Sequence, residues 1–295
     1  MKPIIEIHDL SHAYGSKRVL YHVNLNVETG TFYALLGRNG AGKTTLLKIL
    51  AGLIEPRGGS SRVLGSDSRE LGPNDWTQIG YVSEAQPMYD WLTGAELIAF
   101  TAPLYENWDK AFCDMLAKRM QLPLDRKVRN YSKGERMKMS LLLAMAFHPK
   151  LLLLDEPFSG LDVLAKEQLI SCLLEATHQE QWSVALASHD LAEVERLADS
   201  IGLIEEGILK VSEPLESLQN RFRKVQVFGG KMEGAPDASM MHVSESANGF
   251  SFVETAFSPE RERELRQRYG EQAGITPMAL RDIMLALLST EALPV

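Results

Sequence analysis

The chain has 295 residues, a formal net charge of −8 and a pI near 5.5. Its hydrophobic content of 45% and charged content of 24% are ordinary for a folded protein, so extensive disorder is not expected, and the length favours two unequal domains. The acidic balance argues against a broad nucleic-acid interface, no apolar run is long enough to span a membrane, and two cysteines without metal-ligand spacing indicate neither a zinc site nor a disulfide framework.

Residues 1–36 are predicted to form strands. Ile4–His8 and Val23–Val27 alternate apolar and polar side chains, and Gly15 and Gly30 mark turns. The first residues include an acid and a histidine where a signal peptide needs a longer apolar segment, so secretion is not expected. Both cysteines are therefore expected to be small buried side chains in a reducing cytoplasm.

Residues 37–44 read Gly-Arg-Asn-Gly-Ala-Gly-Lys-Thr and fit the phosphate-loop pattern G-x-x-x-x-G-K-[ST]. The β-prone run 31–36 precedes them and the helical spacing of 45–51 follows, which would aim a helix N-terminus at an anion. Lys43 is expected to contact the β- and γ-phosphates, and Thr44 to ligate Mg²⁺. An incidental glycine-rich turn is the alternative. The predicted nucleotide contacts of this segment are Gly37, Arg38, Asn39, Gly40, Ala41, Gly42, Lys43, Thr44 and Thr45.

The middle of the chain changes from strand to helix. Ile79–Val82 is a predicted short strand, and from about Leu92 to Phe147 the apolar spacing is helical. Thr93 and Glu96 form a capping-box pattern at the start of this segment. A helical insertion, residues 88–147, is therefore expected to interrupt the alternation of strands and helices.

An apolar run that ends in two acids follows the insertion. Leu151–Leu154 reads as a buried parallel strand, and Asp155 and Glu156 come directly after it. An aspartate at such a strand end can hold the Mg²⁺ that bridges phosphates, and a neighbouring glutamate can polarise an attacking water. The alternative is a pair of surface acids that cap a helix.

Alternating elements continue to about residue 204. Helices are predicted over 163–177 and 191–198, the second with a capping box from Asp190 to Glu193, and strands over 183–187 and 201–204. This order favours a mostly parallel sheet with helices on both faces.

The composition changes near Pro214. Strands are predicted over 224–228 and 249–253, and helices are predicted after Ser258-Pro259 and Thr276-Pro277, where each N-cap residue precedes a proline. The last part of the chain is therefore expected to be a small α+β appendage.

Four further motifs share the order found in one protein family. Tyr131-Ser-Lys-Gly-Glu135 precedes the apolar helix 136–147, Ser159-Gly-Leu-Asp162 follows the two acids, Ser188-His189-Asp190 follows a strand, and Tyr14 precedes the phosphate loop. Over residues 4–212 the chain resembles the nucleotide-binding subunit of an ATP-binding-cassette (ABC) transporter. The resemblance implies an α/β P-loop NTPase fold of ABC-cassette type, with an antiparallel β subdomain and a helical subdomain. The expected domains are 1–213, which binds ATP, and the accessory part 214–295.

The resemblance also implies roles for the remaining motif residues. Tyr14 would stack on adenine, and His189 would contact the γ-phosphate, although simple packing and a structural histidine are the alternatives from sequence. The signature segment, residues 131–135, would reach the γ-phosphate held by a second subunit; an ordinary capping box is its alternative reading. The residues expected to contact nucleotide from the signature and the loop before the next helix are Ser132, Gly134, Glu135 and Asp162.

Three positions depart from the family pattern. Lys133 replaces the first glycine of the signature, Glu135 replaces its glutamine, and Glu84 stands where the family usually has a glutamine that contacts the metal. A carboxylate can also ligate Mg²⁺, so the expected metal ligands are Thr44, Glu84 and Asp155.

The resemblance implies partners as well. Two ATP-binding subunits, in a homodimer or a heterodimer, would enclose two Mg-ATP and drive a separate transmembrane permease at the cytoplasmic face of the membrane. Segment 86–100 would dock that permease, with Tyr89 and Trp91 as candidate contacts; packing in the core is the alternative for these two side chains. The terminal segment 278–288 resembles the last helix of exporter-type cassettes and, with the Tyr-Ser-Lys-Gly form of the signature, favours export. The alternatives are a non-transport ATPase acting in DNA repair, chromosome organisation or translation, and a regulatory module that senses ATP without turnover. No nucleic-acid partner is expected.

Overall fold

The computed structural model describes residues 2–180, 182–230, 232, 236–246 and 248–288. Contacts between these residues divide the chain into two compact units, Met1–Ser212 and Glu213–Val295. The sequence boundary was placed one residue later, between 213 and 214.

The first unit carries most of the secondary structure. Its strands are β1 (Pro3–Tyr14), β2 (Lys17–Glu28), β3 (Phe32–Leu36), β4 (Gly58–Val63), β5 (Ser66–Asp67), β6 (Ile79–Val82), β7 (Leu151–Asp155), β8 (Ser183–Ser188), β9 (Ser200–Glu205) and β10 (Ile208–Pro214). Its helices are α1 (Lys43–Leu50), α2 (Pro73–Trp76), α3 (Gly94–Thr101), α4 (Lys110–Arg119), α5 (Lys133–Met145), α6 (Val163–Glu180) and α7 (Leu191–Leu197).

The central sheet of this unit has the strand order β10-β9-β3-β8-β7-β6. Strands β9, β3, β8, β7 and β6 pair in parallel, and every residue of β3, β7 and β8 is buried. Leu151 and Leu153 pack in a cluster with α1, whereas Leu152 and Leu154 pack in a second cluster with α5 and α6. Both faces of the sheet are therefore covered, as the continuous apolar run of β7 predicted.

A second sheet in the first unit is antiparallel, with the order β2-β1-β4-β5. Alternate residues of β1 and β2 are buried in the same cluster as α1, so this sheet covers α1 with its apolar face. The antiparallel β subdomain and the parallel sheet together confirm the predicted fold class.

The predicted helical segment contains α3, α4 and α5, joined by short 3-10 turns. The capping box at its start is confirmed, because the Thr93 amide donates to Glu96 Oε2 over 2.8 Å and the Glu96 amide donates to Thr93 Oγ1 over 3.2 Å. Both cysteines are buried, and no helix in the described part of the chain is long and apolar enough to cross a membrane.

One predicted capping box and one predicted helix start are wrong. Asp190 caps α7 by accepting from the Ala192 amide, but Glu193 does not return the capping-box bond, because its carboxylate points inward to Ser188 and Lys166. Thr276 does not cap a helix. It pairs with Lys224 in the second unit's sheet, and the following helix begins only at Leu280.

In the part of the chain that the structure describes, the second unit is a four-stranded antiparallel sheet with three α-helices. Its elements are β11 (Arg223–Phe228), β12 (Met240–Ser246), β13 (Gly249–Glu254), β14 (Ala273–Pro277), α8 (Leu215–Arg221), α9 (Pro259–Tyr269) and α10 (Leu280–Leu288), and the strand order is β12-β13-β11-β14. One core cluster joins β11, β13 and α9 through Val225, Phe252 and Leu265.

A buried charge ties α9 to this sheet. Glu254 is fully buried, and its Oε2 accepts from Arg261 Nε over 2.8 Å while Arg261 also pairs with Asp237. Removing one partner of a buried pair leaves the other charge without compensation in a poorly hydrated place.

We therefore expect Arg261→Met to lower the stability of the second unit by about 3 kcal/mol, because Glu254 loses its counter-charge. In hydrogen–deuterium exchange, the β11 and β13 amides of this variant should therefore exchange faster than in the parent. The matched control is Arg263→Met on the same helix, since Arg263 pairs with Glu260 only at the surface and should contribute less than about 1 kcal/mol. Equal exchange rates in both variants would show that the buried pair does not hold the sheet.

Candidate functional site

The phosphate loop joins β3 to α1, as predicted, and its glycines are required by close approach. Helix α1 begins at Lys43, and Gly42 precedes it with φ of +112°. A Cβ atom on Gly42 would lie 2.7 Å from Leu20 Cδ2, and one on Gly37 would lie 2.4 Å from the Ile204 carbonyl oxygen. Side chains at these two positions would therefore displace the loop from the sheet.

Lys43 is a buried cation with few neighbours to neutralise it. Its side chain is only 5% exposed, its Nζ donates to the Gly37 carbonyl over 2.7 Å, and it lies 3.1 Å from Glu156 Oε1. A buried ammonium is costly unless it is paired and hydrogen-bonded. The loop thus holds an ammonium group close to its own backbone, where an anionic ligand would compensate it further.

Thr44 and Asp155 meet at the end of the central strands. Thr44 Oγ1 donates to Asp155 Oδ1 over 3.0 Å. Burial raises the pKa of Asp155, an effect that the Thr44 hydroxyl and the Lys43 charge oppose. Mg²⁺ prefers oxygen ligands and is usually held by one or two side chains together with phosphate oxygens. A hydroxyl beside a carboxylate fits that requirement.

Glu156 directly follows β7 and contacts residues at the end of β8. Its Oε2 lies 2.8 Å from His189 Nδ1, and its backbone amide donates to the Ala187 carbonyl over 2.9 Å. Its φ is +50°, a conformation that is strained for a residue with a side chain. The ion pair with Lys43 lies outside hydrogen-bond geometry, so Glu156 Oε1 has no hydrogen-bond donor among the described residues. This buried acceptor can take a proton donor such as water.

Glu84 lies at the same cavity but is held by two other segments. Its Oε1 accepts from Ser159 Oγ over 2.9 Å and from Lys133 Nζ over 3.2 Å. The Ser159 hydroxyl and the Lys133 ammonium lower the pKa of Glu84, so the carboxylate stays ionised and can serve as an oxygen ligand.

One cavity of about 710 Å³ brings most of these groups together. Its lining includes Lys43, Thr44, Glu84, Glu156 and His189, which come from four separate segments of the chain. Other predicted residues that line it are Tyr14, Arg38, Asn39, Gly40, Gly42 and Thr45. Asp155 contacts the cavity through Thr44, and Gly37 contacts it through Lys43.

The structure does not bring the other predicted nucleotide contacts to this cavity. Among the described residues, Ala41, Ser132, Gly134, Glu135 and Asp162 are absent from its lining, and Ala41 is buried within the loop. Ser132 and Glu135 form the capping box of α5, and Glu135 also pairs with Arg126. Asp162 accepts from the Ala165 amide over 2.8 Å at the start of α6. Both segments are ordered helix starts on this chain.

Sequence reasoning missed the side of the cavity formed by the β1–β2 hairpin. Lys17, Arg18, Val19, Tyr21 and Glu206 line it. Tyr14 is 50% exposed, and its ring meets the His12 ring at an angle of 77°, with ring centroids 4.8 Å apart. The sequence did contain this information, because a hairpin that places Tyr14 beside the phosphate loop also places the residues after the hairpin turn beside it.

A buried polar network behind His189 was also missed. Glu193 is 6% exposed, accepts from Ser188 Oγ over 3.0 Å and pairs with Lys166 at 2.7 Å. Ser188 Oγ also accepts from the Asp190 amide. The residues on both sides of His189 are therefore fixed by hydrogen bonds. Burial raises the pKa of Glu193, and the Lys166 ammonium opposes this shift.

Comparison with known proteins identifies relatives of this arrangement. The family model described as ABC transporter matches residues 20–159. A bacitracin transport ATP-binding protein of Enterococcus faecalis is 33% identical over 250 residues, which cover 83% of this chain and 81% of that protein. A lantibiotic transport ATP-binding protein of Streptococcus pyogenes is 32% identical over 218 residues, which cover 74% and 93%.

Solved structures of ATP-binding subunits and cassettes are also similar to this chain. The structure described as an ATP-binding subunit of an ABC transporter superimposes with a TM-score of 0.65 at 31% identity and covers 73% of this chain and 92% of that one. A dimeric ATP-binding cassette bound to ADP and phosphate has the same fold, with a TM-score of 0.65 at 21% identity, covering 72% of this chain and 98% of that one. The phosphate loop and Glu156 line one cavity, and the chain belongs to the ABC transporter family as an ATP-binding subunit with ATPase activity.

Proposed function

We propose that this chain hydrolyses Mg-ATP at the cavity around Lys43 and uses the cycle to drive export through a separate membrane-spanning permease. The observation that carries the catalytic part is the cluster in which Lys43, Glu156 and His189 lie in contact, beside the Thr44–Asp155 pair. A buried cation, an acceptor and a histidine in one cavity match the demands of phosphoryl transfer to water.

Each side chain has a distinct task in this proposal. Thr44 and Asp155, supported by Glu84, would hold Mg²⁺, which would supply charge neutralisation at the phosphates. Lys43 stabilises the negative charge of the terminal phosphate at the start of α1. Glu156 Oε1 accepts a hydrogen bond from the attacking water and orients it, while His189 holds the other carboxylate oxygen of Glu156.

The base and the ribose would lie along the hairpin side of the cavity. The half-exposed ring of Tyr14 lines the cavity and is suited to stacking on adenine, and Lys17, Arg18 and Arg38 place positive charge nearby. Gly37, Asn39, Gly40, Ala41, Gly42 and Thr45 complete the phosphate cradle with their backbone amides.

We also propose that two copies are needed for turnover. Ser132, Gly134, Glu135 and Asp162 lie outside the cavity of their own chain, and a helix N-terminus such as the start of α5 can bind an anion. A head-to-tail dimer would let these residues complete the cavity of the partner. The same logic holds for a homodimer and for a heterodimer with a related subunit.

The permease contact is proposed at an exposed aromatic cluster before and within α3. Tyr89, Trp91 and Phe100 are 43%, 64% and 52% exposed, and Tyr89 packs against both neighbours with ring centroids 5.1 and 5.0 Å apart. Exposed aromatic clusters of this kind are frequent energetic centres of protein interfaces. Docking there would hold the chain at the cytoplasmic face of the membrane.

The direction of transport rests on the relatives. The bacitracin and lantibiotic relatives are named as transport ATP-binding proteins, and export is the direction that we propose here. We assign ATP binding to residues 1–213, with the helical subdomain at 88–147, and an accessory role to 214–295. The relatives named above are transport proteins, which gives no support to a function in DNA repair, chromosome organisation or translation.

We expect Glu156→Gln to lower the ATP turnover rate by about 10²–10⁴-fold, because an amide orients water less well than a carboxylate does. Binding of ATP should persist, since Lys43 and the loop amides are unchanged. Steady-state phosphate release measures the first effect, and equilibrium binding of a fluorescent ATP analogue measures the second.

Glu167→Gln is the matched control for this variant, because Glu167 lies on the surface of α6 and pairs with Arg196 away from the cavity. It should hydrolyse ATP at the parent rate. Unchanged turnover in Glu156→Gln would remove Glu156 from the reaction.

Trp91→Ala should weaken the free energy of binding to the permease by about 2 kcal/mol, while ATP binding by the isolated subunit stays unchanged. Phe228→Ala is the matched control, since Phe228 is 60% exposed but lies on β11 of the second unit. The measurement is affinity of the purified subunit for the permease in detergent. Equal losses from both variants would argue against a docking role for the aromatic cluster.

A further inference from the structure

Glu193 is a buried acid close to His189 that has no assigned role in hydrolysis. It lies in the first turn of α7, is only 6% exposed, and uses its two carboxylate oxygens for different partners. Oε2 accepts from Ser188 Oγ over 3.0 Å, and Oε1 accepts from Lys166 Nζ over 2.7 Å. An acid is costly to bury unless it is paired and hydrogen-bonded. Both oxygens of Glu193 meet this condition, so its side chain has one defined position between β8 and α6.

Ser188 links Glu193 to the backbone on both sides of His189. The Ser188 hydroxyl donates to Glu193 and accepts from the Asp190 amide over 3.0 Å, so one oxygen spans the peptide groups around His189. The His189 side chain is 51% exposed, and its Nδ1 lies 2.8 Å from Glu156 Oε2. Packing alone does not set the direction of a ring that is half in solvent. The backbone that carries the ring is the part that Ser188 and Glu193 fix.

Lys166 connects the same loop to α6. Its ammonium lies 2.7 Å from Glu193 Oε1 and 3.3 Å from Asp190 Oδ2, and Asp190 is the N-cap residue of α7. One cation therefore bridges the two acids that follow His189. Because Glu193 is buried, its bond to Lys166 is screened by solvent less than a surface ion pair would be. The network joins β8, α7 and α6 around the backbone of His189.

A second ion pair joins the same two helices at the surface. Glu167 of α6 pairs with Arg196 of α7, and both side chains are about half exposed. Ion pairs of this kind contribute little to stability, because water and salt screen them. The two helices are thus joined by one exposed pair and by one buried pair, and only the buried pair is bonded to the residue before His189. The exposed pair is a natural control for the buried one.

We propose that Glu193 is a positioning residue for His189. With Ser188 and Lys166 it fixes the backbone of His189, so that the imidazole holds Glu156 in the orientation that the attack of water requires. Glu193 does not line the nucleotide cavity, so its effect on hydrolysis has to pass through His189. The inference rests on the proposed function, in which His189 holds one carboxylate oxygen of Glu156.

Loss of the Glu193 carboxylate should lower kcat and leave the KM for ATP unchanged. An amide has a single acceptor oxygen, so Glu193→Gln cannot accept from Ser188 and from Lys166 at the two present positions. The loop that carries His189 would then no longer be held in one place. Lys43 and the phosphate loop would keep their contacts, because they share no hydrogen bond with Glu193.

The test is a double-mutant cycle on the full chain, with steady-state phosphate release as the measurement. Glu193→Gln should lower kcat about tenfold, the effect of losing one hydrogen bond to a charged group. In a His189→Ala background the same substitution should cause no further loss, because the group through which Glu193 acts is then absent. General damage to the fold would lower kcat by the same factor in both backgrounds. Glu167→Gln should match its parent in both.

Substitutions of Ser188 test the same link from the other side. Ser188→Ala removes the hydroxyl between Glu193 and the Asp190 amide, and it should lower kcat to a similar extent at unchanged KM. Ser188→Thr retains a hydroxyl and should stay near the parent value. Thermal unfolding of each purified variant shows whether it is folded under the assay conditions. If Glu193→Gln does not fold, the two Ser188 variants decide the question.

Several results would overturn the inference. These are an unchanged kcat in Glu193→Gln, a loss of the same size in the His189→Ala background, a raised KM in place of a lowered kcat, or an equal loss in Glu167→Gln. If His189→Ala alone leaves kcat unchanged, the role of His189 in the proposed function fails, and the inference fails with it. A loss in His189→Ala that adds to the loss in Glu193→Gln would overturn the role of Glu193 alone.

Discussion

The arrangement of the site in the first unit depends on the burial of one ammonium group, that of Lys43. Lys43 is enclosed at the junction of β3 and α1, and its charge is met by a loop carbonyl and by Glu156. A cation in such a place needs partners from outside its own helix. The parallel sheet supplies them, because β8 pairs with β3 and β7 pairs with β8, and these two strands carry His189 and Glu156 to the same edge. The site is thus a consequence of strand order.

Sequence patterns predicted the parts of the fold that depend on local chemistry. The phosphate loop has a fixed spacing, and the run Leu151–Leu154 is apolar throughout because both faces of its strand are covered. The capping boxes at Thr93 and Ser132 are confirmed. The fold class and the family followed from these patterns, since each requires residues close together in the chain.

What the sequence could not supply depends on contacts between distant residues. Glu193 fits a capping box by spacing, but Lys166, 27 positions away, turns it inward. Thr276-Pro277 has the pattern of a helix start, yet both residues belong to β14 and pair with β11. The pairing of Glu84 with Lys133 and Ser159 joins loops 49 and 75 residues apart. Local sequence patterns do not encode contacts between residues so far apart in the chain. The departures from the family pattern at Glu84 and Lys133 therefore gave no sign that these two side chains form an ion pair.

The hydrogen bond from the Glu156 amide to the Ala187 carbonyl links folding to chemistry. It extends the ladder in which Asp155 pairs with Ala187, so one peptide group both sets the alignment of β7 with β8 and fixes the strained backbone of Glu156. A slip of one residue along this ladder would turn every side chain of the strand to the opposite face. A chain trapped in that state would be compact yet inert, so activity reports on correct strand alignment.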